Sequence, residues 1–193
     1  PVSHSTEAEI DLKNPEGVLK PGMFVTVDIF YGESEKAIGR LLKNRSERIY
    51  VATKCGRRLS PHTSKEHTPE AMRKFVEDSL KNLQVDAIDL IQLHCPPTQV
   101  YYMPEVFEVF DRMKDEGKIR AIGCCNADVG QMEQYSAAGQ LDCDQELYSM
   151  LDRKPEEQRL PLLSENDVAF LAYSSLGQGL LTGNIIKGAR IKL

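Results

Sequence analysis

Apolar residues recur along this chain in two alternating rhythms. Short runs rich in β-branched and apolar residues at 23–29, 48–53, 87–93, 119–124 and 168–173 read as strands, and a weaker run at 141–147 reads as another. Between them the spacing lengthens to that of an amphipathic helix. Ala37, Ile38, Leu41 and Leu42 share one face of a helix predicted over 34–43, with Ser34 as its N-cap. Thr68-Pro69 is an N-cap followed by proline at the first helical position, and Met72, Phe75, Val76, Leu80 and Leu83 then form an apolar stripe. Pro104 opens a helix that turns Val106, Phe107, Phe110 and Met113 inward and stops at Gly117. Further helices are predicted over 128–137 and 155–164.

About six strands alternating with helices predict a parallel α/β architecture. The strand runs are apolar nearly throughout, as expected of strands buried on both faces. An open doubly wound sheet would carry a glycine-rich loop after its first strand, and the isolated glycines Gly32, Gly56 and Gly123 do not make one. A TIM-type barrel instead spreads its chemistry over successive strand ends. Lys54, His94, Asn126, Gln145 and Tyr173 each follow or close a predicted strand, which favours the barrel.

Composition narrows the function. The 193 residues suit one domain, and 41% hydrophobic with 27% charged residues is the balance of a globular protein with a sizeable core. A net charge of −5 with only short basic clusters, 54–58 and 187–192, argues against a nucleic-acid partner. No run approaches the roughly 18 apolar residues of a membrane span, so no membrane partner is expected. Five cysteines without CxxC or Cys/His ligand spacing predict free thiols in a reducing, cytoplasmic setting and no metal site.

Taken singly, Lys54 reads as a loop residue, His94 as a structural histidine, and Tyr31 and Tyr173 as packing aromatics. Together they carry more. A barrel gathers strand ends around one mouth, so Lys54 and His94, on neighbouring strands, should approach each other, with Tyr31 completing a triangle. A phenol of ordinary pKa near ~10 is a poor acid at neutral pH. A neighbouring ammonium favours the phenolate and lowers that pKa, while an imidazole can bond the reacting oxygen.

The segments YGESEKAIGRLL, RIYVATKCG, SLKNLQVDAIDLIQLHCPP, EGKIRAIGCCN and LAYSSLGQGLLTG, in this order over about residues 31–184, resemble the consecutive signatures of aldo-keto reductases. The resemblance implies a (β/α)8 barrel and reduction of a small aldehyde or ketone with NADP or NAD. It implies Tyr31 as the general acid, Lys54 as its pKa-lowering partner and His94 as the residue orienting the substrate oxygen. It further implies that Cys125 (where the family commonly has serine), Asn126 and Gln145 hold the nicotinamide amide. Tyr173 would stack on the nicotinamide ring, and Ser174, Leu176 and Gln178 would lie near the pyrophosphate.

Three departures modify that expectation. The family's catalytic aspartate falls at Thr26, and Asp28 is displaced by two residues, or roughly 6–7 Å along a strand. Residues 7–29, with turns at Asn14-Pro15-Glu16-Gly17 and Lys20-Pro21-Gly22, predict an N-terminal β-hairpin. Their NPEGVLKPGMFV resembles periplasmic adaptor subunits of efflux pumps. Residues 1–30 are therefore expected to be a hairpin segment of separate origin, and 31–193 a partial barrel. Finally, Leu193 comes soon after the sixth predicted strand, whereas a full barrel has eight strands and about 250 residues. The expectation is thus an incomplete barrel of impaired activity whose open edges favour self-association. The competing readings are a nonfunctional or binding-only barrel fragment and a fragment of an efflux adaptor.

Overall fold

The computed structural model describes residues 32–138 and 141–182. Five strands, β1 (Ala52–Cys55), β2 (Ile88–His94), β3 (Ile119–Cys125), β4 (Cys143–Leu147) and β5 (Ala169–Tyr173), lie in sequence order in one sheet. Every neighbouring pair is parallel. Helices α1 (Glu33–Lys43), α2 (Pro69–Leu83), α3 (Pro104–Asp115), α4 (Val129–Ala138) and α5 (Arg159–Glu165) alternate with the strands. The described part is an incomplete α/β barrel. The strand expected over 23–29 and the N-terminal hairpin lie outside the described residues.

The helix signals act as their chemistry requires. Thr68 Oγ1 accepts from Ala71 N–H at 3.2 Å, with Pro69 in the first turn of α2. Asp128 Oδ1 accepts from Gln131 N–H at 2.8 Å and Gln131 Oε1 accepts from Asp128 N–H at 2.9 Å, a reciprocal cap that starts α4. α3 ends where expected, with Gly117 at φ 74 and its N–H bonded to Lys114 O at 2.9 Å.

Three boundaries differ from expectation. The strand predicted over 48–53 is found at Ala52–Cys55. Asp89 is the reason: its Oδ2 takes the Val51 N–H at 3.0 Å and its Oδ1 pairs with Arg48, holding the incoming chain by side chain rather than ladder. Gly32, not Ser34, stands at the N-cap of α1, without a side-chain cap bond. The helix predicted over 155–164 is broken into a single turn at Lys154–Glu156 and α5, with Gln158 non-helical between them.

The core lies between the sheet and its helix layer. Met72, Val76 and Leu83 of α2, Phe107, Phe110 and Met113 of α3, and Tyr135 of α4 pack on Ile91, Leu93 and Ile122. Gly39 of α1 makes room for α2: a Cβ there would sit 2.6 Å from Asn82 O. The Glu35 carboxylate, fully buried, binds α1 to its neighbours. It accepts from Thr53 Oγ1 and Ser79 Oγ at 2.7 Å each and from Asn82 Nδ2 at 2.9 Å. No helix among the described residues is long and apolar enough to cross a membrane.

Candidate active site

Strand side chains alternate between faces, so the register assigns each residue to one side of the sheet. Lys54 pairs with Gln92, His94 with Cys125, Cys125 with Gln145, and Leu147 with Tyr173. Lys54, Gln92, His94, Cys125, Gln145 and Tyr173 therefore share one face. Thr53, Ile91, Cys124 and Asp144 occupy the other and meet the helices. Because all strands are parallel, the six lie toward a single, C-terminal end. That is where a β/α barrel carries its site.

The chain bends sharply at that end. Gly56, Cys95, Asn126 and Ser174 are the first residues after β1, β2, β3 and β5, and their φ values are 89, 46, 52 and 54. For a residue with a Cβ this left-handed conformation costs about 1–2 kcal/mol. Three such residues at corresponding strand ends mean that the surrounding contacts impose the turns, a pattern found where a binding or reacting group must be presented.

Those contacts form a connected set. Tyr173 Oη donates to Asn126 Oδ1 at 2.8 Å, and Asn126 Nδ2 donates to Cys95 Sγ at 3.5 Å. The Asn126 N–H bonds Gln145 O at 3.0 Å. Hydrogen bonds from the Cys125 thiol, His94 and Asn126 hold the Cys95 thiol well below the ordinary thiol range, against a smaller opposing effect of burial. The bond with Cys95, followed by burial, pushes the Cys125 thiol up; the Lys54 ammonium opposes this from β1. Lys54, His94 and Cys125 thus converge across three adjacent strands.

Gln145 differs from all of these. Its side chain is 1% exposed, yet neither Nε2 nor Oε1 has a hydrogen-bond partner among the described residues. Gln92 Oε1, on the same face, is likewise unpartnered, while its Nε2 donates to Cys124 O at 3.4 Å. A buried polar group left unpaired costs about 1–3 kcal/mol. An amide with a free donor and a free acceptor side by side is complementary to another amide, the carboxamide of a nicotinamide among them.

The expected residues do not all stand alike. Lys54, His94, Cys125, Gln145 and Tyr173 are gathered on one face. Asn126 is at the same end, but both ends of its side chain are engaged by Tyr173 and Cys95. Ser174, Leu176 and Gln178 lie in the turn beyond β5, where Gly177 N–H bonds Ser174 O at 2.8 Å and Leu176 is largely exposed. Tyr31, with Thr26 and Asp28, lies outside the described residues. Sequence reading missed Cys95 and Gln92. A glutamine inside the apolar run AIDLIQL was a usable signal for Gln92, whereas nothing local announces that the backbone turns Cys95 back toward β3. Two hollows, of about 300 Å³ beside Met132, Leu141 and Leu162 and about 400 Å³ beside Lys36, Phe75 and Asn82, are lined by none of these residues.

Comparison with known proteins identifies the family. Residues 26–192 match the aldo/keto reductase family. The NADH-specific methylglyoxal reductase of Escherichia coli is 38% identical over 171 residues, covering 81% of this chain and 52% of that protein. The aldo-keto reductase YhdN of Bacillus subtilis is 37% identical, covering 80% and 47%. Among solved structures, the glycerol dehydrogenase AKR11B4 of Gluconobacter oxydans superposes with a TM-score of 0.73 at 30% identity, covering 82% of this chain and 50% of that one. An aldo/keto reductase of Klebsiella pneumoniae, in complex with NADP and acetate, gives 0.65 at 25% identity, covering 81% and 53%. The chain spans about half the length of the curated relatives it matches. The adaptor-like reading of residues 7–29 gains no support from these comparisons.

Proposed function

Because the chain belongs to the aldo/keto reductase family, we propose that it serves in the NAD(P)H-dependent reduction of a small aldehyde or ketone. The observation that carries this reading is Gln145, a buried amide whose polar atoms have no partner among the described residues, on the same sheet face as Lys54, His94 and Tyr173. On this proposal the Gln145 amide takes the nicotinamide carboxamide, and the Tyr173 ring, steadied through its hydroxyl by Asn126, gives the nicotinamide a flat support. Ser174, Leu176 and Gln178 lie toward the pyrophosphate. The nicotinamide, when bound, supplies the hydride.

The chain's own groups handle the proton. His94 orients the carbonyl oxygen by a hydrogen bond, and Tyr31 delivers the proton, its pKa lowered by the Lys54 ammonium. The family's carboxylate position is Thr26 in this sequence, so Thr26→Asp is expected to raise turnover and Tyr31→Phe to remove most of it with cofactor binding kept. In the same reading residues 1–30 are a segment of separate origin from the barrel, within which Thr26 stands where the family's carboxylate falls. Self-association belongs to the proposal as well.

Fluorescence titration with NADH and with NADPH tests the cofactor site, and methylglyoxal, the substrate in the name of the E. coli relative, is the first carbonyl to try. Saturable binding of either cofactor that Gln145→Met weakens supports the reading. Absence of binding by both sinks it. Binding without turnover of any carbonyl would leave a cofactor-binding barrel fragment.

A further inference from the structure

The turn after β2 assembles a second constellation. His94 and Cys125 are register partners at the last positions of β2 and β3, so their side chains stand side by side on the inner face. Cys95 would ordinarily point to the opposite face. Its left-handed backbone, φ 46, instead turns it back, and its sulfur lies within 3.9 Å of Cys125 O. One nitrogen of His94 and the two sulfurs then lie within 4.8 Å of one another.

We infer that His94, Cys95 and Cys125 form a binding site for a thiophilic d10 cation, Cu+ or Zn2+. Zn–S bonds of about 2.3 Å and Zn–N bonds of about 2.0 Å place tetrahedral ligand atoms about 3.5–3.8 Å apart. The observed spread therefore needs about 1 Å of contraction, within reach of small side-chain rotations. Two thiolates and an imidazole are the donors that soft cations select over Mg2+ or Ca2+. Cys125 is buried while His94 and Cys95 are half-buried, so three ligands come from the protein and the fourth position faces the mouth. An outer layer is also in place: Asn126 Nδ2 donates to Cys95 Sγ at 3.5 Å, and Asn126 is itself held by Tyr173.

Charge favours Cu+ of the two. Two thiolates with Cu+ leave one negative charge, which the Lys54 ammonium near Cys125 offsets. With Zn2+ the centre is neutral and Lys54 gains nothing. Any proton a ligating thiol still carries leaves to solvent on binding. The ion would occupy His94 and take it from the carbonyl substrate, so metal loading would block reduction. The inference does not need the reductase reading, because metal binding and cofactor binding are measured separately.

The test is competition between the fully reduced, metal-free chain and a chromophoric Cu+ chelator, repeated with a Zn2+ indicator. One equivalent bound, with affinity falling more than about 100-fold in both Cys95→Ser and Cys125→Ser, is the expected result; loss of an outer-shell partner costs roughly 10–100-fold. Cys143→Ser, elsewhere in the sheet, is expected to leave binding unchanged. Cys125 is buried and its variant requires a matching thermal melt; the half-buried Cys95 supplies the independent variant. Failure of the chain to compete for either ion, or binding that survives Cys95→Ser, overturns the site. NADH titration of the same metal-free protein tells that failure apart from failure of the reductase reading.

Discussion

The two faces of the sheet treat buried polar groups in opposite ways. On the helix side the buried carboxylates are satisfied, although Tyr135 Oη and His67 Nε2 there have no partner among the described residues. Glu35 accepts three hydrogen bonds, and Asp144, fully buried, receives Arg159 Nη1 at 2.9 Å and the Cys124 thiol at 3.3 Å. On the inner side Gln145 has no partner for either amide atom, and Gln92 none for its oxygen, among the described residues. Both faces exclude water from these groups, so burial is not what separates them. A face built only for stability would pair its polar atoms or replace them with apolar ones. Polar atoms held ready at strand ends are what a ligand-binding face needs, and the stability they forgo is recovered when the ligand arrives.

The strongest way to break this contrast is Glu35→Leu. It strands the Thr53 and Ser79 hydroxyls and the Asn82 amide between α1, α2 and β1. We expect a loss of about 3 kcal/mol, read as a lower urea midpoint at constant slope. Cofactor affinity of the remaining folded protein should not change. A neutral result would mean that the helix-side network is not structural.

Gln145→Met should act with the opposite sign. Methionine matches the glutamine in shape and removes a donor and an acceptor that the fold does not use, so stability should rise by about 1 kcal/mol while NADH or NADPH binding weakens. A stability loss would show that the amide is paired in solution and would remove the basis for reading it as a ligand group.

These expectations rest on features that differ in how far sequence reveals them. The strands near 87–93, 119–124 and 168–173 were legible because burial on both faces leaves long apolar runs. β1 was misplaced because the capture of Val51 N–H by Asp89 is a contact between residues distant in sequence. Lys54, His94, Cys125, Gln145 and Tyr173 were legible as strand-end residues, since a parallel sheet carries all such ends to one side. The orphaned state of Gln145 was not, because it depends on what three neighbouring strands do not offer. Cys95 was hidden for a local reason: alternation puts it on the wrong face, and only its positive φ corrects that.

A smaller effect sharpens the ligand side. Tyr173→Phe removes the hydroxyl that donates to Asn126, on a partly exposed ring. The expected loss is about 1 kcal/mol in stability, with the ring still present to support a nicotinamide. Cofactor affinity should therefore fall less than in Gln145→Met. Equal losses in the two variants would mean that the Tyr173–Asn126 pair, rather than the amide, organises the mouth.

The smallest expected effect concerns His67, an exception on the helix side, and it is a pH effect. Its Nδ1–H donates to Thr63 O at 2.7 Å, which leaves Nε2 buried close to Gly56 and without a partner among the described residues. Burial lowers its pKa from the ordinary histidine value; the Thr63 carbonyl opposes this, and the neighbouring His62 adds to it. A histidine whose folded pKa lies below its unfolded value binds its proton first in the unfolded chain. Its contribution to stability is therefore complete above about pH 6.5 and is lost as the pH falls toward the folded value. Urea midpoints at pH 7.5 and 5.5 should differ in the parent chain, and the difference should shrink in His67→Gln, which keeps a donor for Thr63 but cannot ionise. If the pH dependence is unchanged in the variant, the acid sensitivity arises elsewhere, and the unpartnered nitrogen of His67 costs nothing that protonation could reveal.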